Sequence, residues 1–348
     1  MVKIRKISGI LVFALVVFIV FAGWRLFGSN TNFTENKKSF YIKTGSNFKD
    51  VMVELAREDI IRNPGTFKWV AIKLEYDKKV KAGKYVFDKG SSIYSIIKRL
   101  RSGRQTPVNL VINKLRTKED LARKIGADFE CDSAAFMKIL NNTDSLRKYE
   151  LDTNTVMTAI IPNTYSIFWN TPARGIFKKL YEEQEIFWNK DERKKKAAGL
   201  NLSPLQAYTL ASIVEEETNK DEDKGKVASV YLNRMETGMK LAADPTVKFA
   251  MRDFSLKRIY YKHLQYPSPY NTYQHAGLPP GPICTPSIST IDAVLNSPST
   301  SYLFFVAKPD LKGFSNFATT YNEHMRFAKE YQQALDSFIR IKGDTLLP

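Results

Sequence analysis

Residues 7–24 (ISGILVFALVVFIVFAGW) form an uninterrupted apolar run of eighteen residues. Coiled as a helix, such a run spans roughly 27 Å, close to the thickness of bilayer hydrocarbon. Lys3, Arg5 and Lys6 precede it, and Trp24 and Arg25 close it. By the positive-inside rule the short N-terminus stays in the cytoplasm and the rest of the chain lies outside. A cleaved signal peptide is the alternative, with Ala22-Gly23 as a weak cleavage site, but the run exceeds the usual signal core. After a polar stretch at 28–38, which reads as a linker, the pattern becomes that of a small mixed module. Residues 39–43 alternate like a strand, and Gly45-Ser46-Asn47 is a turn or helix cap. Phe48, Val51, Met52 and Leu55 follow helical spacing, and Asn63-Pro64 starts a second helix through Phe67, Val70 and Leu74. A strand at 84–87 and a third helix through Ile93, Ile96, Ile97 and Leu100, stopped at Gly103, complete the module.

A larger mixed region follows. Residues 106–112 read as a strand, 118–140 as helix interrupted at Cys131-Asp132-Ser133, and 174–198 as a charged helix. In 201–220 (NLSPLQAYTLASIVEEETNK), Ser203 and Pro204 suit the cap and first turn of a helix. Ala207, Leu210, Ala211, Val214 and Thr218 then mark one buried stripe. At about 100° per residue, Glu216 points from the centre of the polar face, while Glu215 and Glu217 flank the stripe. A carboxyl half-buried against apolar neighbours has a raised pKa and can hold a proton at neutral pH. Residues 226–235 form a further helix with Val227, Val230, Tyr231 and Arg234 at helical spacing, ending before Gly238. Residues 241–250 read as extended or hairpin, 288–295 as helix, 302–306 as a buried strand and 322–340 as a closing helix. The irregular segment 267–287 is rich in proline and glycine, yet Tyr270, Asn271 and Tyr273 mark it as a shaped loop rather than a linker.

Composition adds charge to this picture. The 348 residues carry a net charge of +17, with twelve Lys or Arg and one acid between 78 and 118. Such a block suits an anionic membrane or wall surface, or serves as a solvated face, and export beyond the membrane excludes nucleic acid as its partner. The two cysteines, Cys131 and Cys284, lack metal spacing, although one long-range bridge between them stays open. The three histidines are scattered, which argues against a metal site.

The motifs LASIVEEET (210–218), KVASVYLNR (226–234), ADPTV (243–247), YNTY (270–273), GLPPGPI (277–283), YLFFVA (302–307) and FATTYNEH (317–324) resemble the MltG (YceG-like) endolytic murein transglycosylase family. KAGKY (81–85) resembles that family's LysM-like module. One departure is Asn163, where the family usually carries Asp. The resemblance implies an α+β fold with an anchor at 1–25, a linker at 26–38, a LysM-like module at 39–105 and a lytic domain at 106–348. It implies the glycan strands of peptidoglycan as substrate, no cofactor, an inner-membrane single-pass location with the catalytic region outside, and cell-wall synthesis proteins as candidate partners.

A hydrolytic glycosidase needs two carboxyl groups at controlled separation. A lytic transglycosylase can work with one, because the muramic 6-hydroxyl supplies the nucleophile. By the family motif the acid falls on Glu217; the helical wheel independently excludes Glu216 and leaves Glu215 as runner-up. Asn271, Thr272 and Tyr273 are expected to touch sugar, with Glu215 and Asp244 as further contacts. Asp244 is alternatively a cap before Pro245, Glu323 suits the start of the closing helix, and the 277–283 loop suits one wall of the site. A water-using muramidase and a non-catalytic wall-binding scaffold are the competing readings.

Overall fold

The computed structural model describes the backbone of residues 2–344 and the side chains of 9–340, so the side chains of Lys3, Arg5 and Lys6 lie outside it. The chain forms two units, one of Met1–Leu110 with two short returns at 128–131 and 166–172, the other of the remaining residues.

The first unit opens with α1 (Val2–Phe27). Its segment Gly9–Phe27 has a mean hydropathy of 2.6 and is unburied; among the described residues it is the one helix long and apolar enough to cross a membrane. β1 (Lys37–Ile42) precedes α2 (Phe48–Arg57) and α3 (Pro64–Lys73), and pairs antiparallel with β2 (Gly83–Asp88), Ile42 opposite Gly83. Asn47 and Asp50 form a reciprocal capping box on α2. α4 (Ile93–Ser102) starts at the Ser92 cap and stops at Gly103, whose φ of +72° favours glycine. Phe40, Leu55, Phe67, Tyr85, Ile97 and Leu100 are fully buried together.

The stretch read as a linker is instead fastened to this unit. Phe33 joins the core, and Asn30 and Thr31 are buried. The Asn30 N–H donates to Ser91 O at 3.1 Å, and the Gly90 N–H donates to Thr31 Oγ1 at 2.8 Å. Polar composition alone cannot tell a solvated strand from one whose polar groups are paired.

β3 (Val108–Val111) and β4 (Thr164–Ile167) lie where the chain passes from one unit to the other. In the second unit come α5 (Lys118–Asp128), α6 (Ser133–Leu140), capped by Asp132, and α7 (Thr143–Arg147). The expected single helix over 174–198 is divided into α8 (Ala173–Asn189) and α9 (Arg193–Gly199), because Asp191 and Glu192 adopt positive φ. α10 (Pro204–Glu217) and α11 (Asp221–Glu236) follow. Residues expected to be extended after Gly238 contain α12 (Asp244–Ala250). Asp and Pro both suit a first helical turn, and tertiary burial of Thr246 and Val247 stabilises the remainder. Next come α13 (Tyr261–Leu264), α14 (Ile288–Leu295), the antiparallel pair β5 (Phe304–Ala307) and β6 (Ser315–Ala318), and α15 (Tyr321–Asp344). β5 is half-buried rather than buried.

α10 is the core of this unit. Every residue from Ala207 to Val214 is buried, so the helix has no solvent face over two turns, rather than the one stripe that periodicity suggests. Its polar residues are accommodated by bonds: Ser212 Oγ donates to Thr209 O at 2.7 Å and accepts the Ile283 N–H at 3.0 Å. Cys284 donates to Ser212 O, and no disulfide joins it to Cys131.

Candidate active site

α10 ends at Glu217, since Thr218 turns to extended backbone (φ −143°, ψ 141°). The Glu217 side chain is thereby set at the end of a buried helix, beside a cavity of about 350 Å³ that Thr218, Lys220, Phe305, Val306 and Gly313 also line. Tyr231 of α11 is buried, and its hydroxyl donates to Glu217 Oε1 at 2.7 Å. Burial raises the Glu217 pKa to about 7; the Tyr231 hydrogen bond opposes this, the Asp244 charge adds to it, and Arg234 and Lys248 oppose it. A helix C-terminus also disfavours a carboxylate. Glu217 can therefore exist as acid or base near neutrality.

One turn beyond Tyr231 on α11, Arg234 is fixed by donation to Leu303 O at 2.7 Å and Leu241 O at 2.6 Å. Asp244, exposed at the start of α12, accepts the Tyr273 hydroxyl at 2.6 Å. Both Asp244 and Tyr273 are electrostatically coupled to Glu217. The structure thus brings Glu217, Asp244 and Tyr273 together with Tyr231 and Arg234.

Asn271 and Thr272 occupy another position. Asn271 is fully buried and its amide donates to Leu264 O at 3.0 Å and Tyr266 O at 2.8 Å. Its Oδ1 accepts the Tyr273 N–H at 3.0 Å. Thr272 Oγ1 accepts the Ala243 N–H at 3.0 Å and meets Thr246 Oγ1 at 2.9 Å. Both residues hold the loop against the start of α12, and Tyr273 is the member of the triplet with surface to offer a ligand.

The other two glutamates of α10 are engaged in structure. Glu215 accepts from Ser287 Oγ at 2.9 Å and from Thr290 Oγ1, with Lys224 Nζ at 3.9 Å, clamping α10 to the start of α14. Glu216 lies at 2.9 Å from Lys114 Nζ and 3.1 Å from Arg116, with its side chain 17% exposed. The wheel placed it on a polar face; that face meets two cations of the basic block rather than water. Lys118 of the same block is also used internally, donating to Asn141 Oδ1 at 2.8 Å.

The spacing of Tyr231 and Arg234 shows helical periodicity alone and does not point to the site. The available signal was that a buried tyrosine hydroxyl requires a polar partner. A larger cavity of about 800 Å³, bounded by Leu200, Gln206, Asn233, Glu236, Leu278 and Pro298, contains none of the converging groups.

A YceG-like family model matches residues 40–330. An endolytic murein transglycosylase of Bacillus subtilis is 28% identical over 310 residues, covering 83% of each chain. One from Streptococcus pneumoniae strain R6 is 26% identical over 329 residues, covering 83% of this chain and 57% of its own length. A crystal structure of a yceG-like protein from Listeria monocytogenes superposes with a TM-score of 0.56 at 27% identity, over 84% of this chain and 99% of that one. With most of its length matched by the family model, the chain belongs to the YceG-like family.

Proposed function

We propose that this protein is a membrane-anchored endolytic murein transglycosylase that cleaves the β-1,4 bond between N-acetylmuramic acid and N-acetylglucosamine within glycan strands. The observation that carries this reading is the Glu217 carboxyl, half-buried and hydrogen-bonded beside a cavity, with a pKa of about 7. The names of the relatives from Bacillus subtilis and Streptococcus pneumoniae support the reaction class. Protonated Glu217 donates its proton to the glycosidic oxygen as the bond from muramic C1 to that oxygen breaks. The muramic 6-hydroxyl oxygen then bonds to C1, and its proton passes to Glu217, which regenerates the acid and leaves a 1,6-anhydro end. Tyr231 orients the carboxyl, while Arg234 and Lys248 favour its charged form between the two steps. Tyr273, held by Asp244, offers a ring and a hydroxyl to a sugar.

α1 fits a single-pass anchor in the inner membrane, with the rest of the chain after it on the extracytoplasmic side. The strand–helix–helix–strand order of β1, α2, α3 and β2 supports a LysM-like reading of that module. Cell-wall synthesis proteins are its expected partners.

Asp244 is the one observation that favours a hydrolase, since it places a second carboxylate in electrostatic reach of Glu217. Digestion of purified peptidoglycan by the full-length protein, with products identified by mass, separates the two. Anhydro-muramic ends support the transglycosylase; reducing ends support a muramidase; and no products, or unchanged products with Glu217→Gln, overturn both.

A further inference from the structure

The cavity beside Glu217 has a cationic wall that the proton transfers do not use. Lys220, at the N-cap of α11, lines that cavity, and its N–H donates to Thr218 Oγ1 at 3.0 Å. Its side chain runs to the turn between β5 and β6, where Nζ lies 4.6 Å from the centre of the Phe314 ring. Gly313 leaves room for it: the φ there is +84°, and a Cβ would stand 3.3 Å from Lys220 Cε. Lys308, directly after β5, places its Nζ 5.9 Å from the centre of the same Phe314 ring. One aromatic side chain thus gathers two ammonium groups at the edge of the cavity.

Both lysines are half-buried, and among the described residues neither pairs with a carboxylate. Acids that flank them in sequence are engaged elsewhere. Asp221 holds Lys224 at 2.7 Å, Asp223 accepts the Ser315 N–H at 2.7 Å, and Asp310 accepts the Lys312 N–H at 3.0 Å. Two like charges brought together repel, and an anion seated between them removes the repulsion. The glycan supplies such an anion at the right place. Muramic acid differs from N-acetylglucosamine by a lactyl ether on C3, two ring carbons from the C1 that is attacked. That arm ends in a carboxyl, which is free on a bare strand and amide-linked on a peptide-bearing one, where the peptide adds carboxylates of its own. A muramic ring with C1 at Glu217 carries the arm to within one sugar's width of the acid.

We propose that Lys220 and Lys308, gathered on Phe314, form a carboxylate subsite for the lactyl arm of the muramic unit being cut, through its own carboxylate or those of an attached peptide. The proposal rests on the reading that Glu217 cleaves glycan at muramic acid. The two sugars of the strand alternate and share the same ring, so a cation that recognises the arm sets the register of cleavage.

The test uses the full-length protein in detergent and glycan strands prepared peptide-free or peptide-bearing, each with free or methyl-esterified carboxyls. The unsubstituted chain should favour free over esterified strands by about fivefold in kcat/KM, carried by KM, as suits a partly exposed ion pair. Lys220→Met should abolish this preference, Lys308→Met should narrow it and Lys220→Arg should keep it. Lys262→Met, exposed on α13, should leave it intact. A preference confined to peptide-free strands assigns the lactyl carboxylate, and one confined to peptide-bearing strands assigns the peptide. Equal rates on free and esterified strands overturn the proposal, as does a preference that survives Lys220→Met. The first of these comparisons needs no variant, so misfolding of Lys220→Met leaves the decision standing. If the unsubstituted chain cuts no strand, the catalytic reading fails by itself and binding decides the subsite. Full-length Glu217→Gln should then hold the N-acetylglucosaminyl-N-acetylmuramic disaccharide about fivefold more tightly than its methyl ester, and equal affinities overturn the proposal. An effect of Lys220→Met seen only with a phosphate-bearing wall polymer would assign the lysines to that polymer and overturn it too.

Discussion

Glu216 and Glu217 are neighbours whose pKa values move in opposite directions, and both movements begin with burial. At Glu216 the hydrogen bonds and charges of Lys114 and Arg116 outweigh desolvation and hold the carboxyl below its usual range. At Glu217 desolvation prevails and the pKa rises to about 7. The consequences for stability have opposite sign. The Glu216 contribution is present above the unfolded pKa of about 4.3 and is lost as pH falls through the depressed folded value. The folded state instead favours protonated Glu217, whose contribution is lost as pH rises from about 4.3 towards 7. Thermal melts of Glu217→Gln should therefore gain on the parent as pH rises through that window, whereas Glu216→Gln should lie below the parent by a constant margin there and approach it only as pH falls below about 4.3; parallel curves for Glu217→Gln would refute the raised pKa. Activity should decline above pH 7 as the acid is lost. Tyr231→Phe removes a bond that stabilises the carboxylate, so this alkaline limb should move to higher pH. The rate should drop about tenfold, the value of one hydrogen bond to a charged group. A pH–rate profile unchanged in position would remove Tyr231 from its orienting role.

At the scale of elements, the site depends on how the ends of α10, α11 and α12 are tied. Asn271 buries an amide that bridges Leu264 O, Tyr266 O and the Tyr273 N–H. Truncation to Ala leaves these backbone groups unpaired, at about 1–3 kcal/mol each for those that stay dry. Asn271→Ala should lower the melting temperature together with activity, through displacement of Tyr273. If activity falls through KM alone at unchanged stability, Asn271 touches sugar and the strut account fails. Glu215→Ala should behave like a clamp removed, with lower stability and an unaltered pH profile, because its partners are Ser287 and Thr290 of the α14 start. A displaced pH profile would instead tie Glu215 to the Glu217 titration.

For the whole molecule, the polar stretch after α1 belongs to the first unit rather than to a tether. Removal of residues 1–27 should leave a folded protein in the absence of detergent. Removal of residues 1–38 also deletes Phe33, whose burial alone is worth about 1.5–3 kcal/mol, together with the paired Asn30 and Thr31. The longer deletion should melt at a clearly lower temperature. Equal melting temperatures for the two deletions would restore the reading as a free linker. The basic block likewise divides at Leu110, and its last three cations, Lys114, Arg116 and Lys118, bind within the second unit. Those three charges are therefore engaged in pairing inside the second unit.

What the sequence determined by itself was local. The apolar run of α1 and the caps at Asn47, Ser92, Asp132 and Ser203 appear where their residue types place them. Glu217 is legible as a candidate acid in two ways, from its motif and from its place on the flank of α10, because helical periodicity is a property of neighbours in sequence. Tertiary structure decided the rest. α12 reads as extended in sequence because buried neighbours, which a short window does not contain, stabilise its roughly two turns. Glu216 falls on a polar face of the helical wheel, but the wheel does not show what covers that face, here Lys114 and Arg116 from 100 or more residues away. Asn271 and Thr272 were read outward because an amide or hydroxyl carries no mark of the carbonyl it will meet. Tyr231 became a partner of Glu217 only when α11 packed against α10 and left its buried hydroxyl one carboxylate to bind. Burial and long-range pairing set the chemistry of these side chains, and both come into being only when remote segments meet.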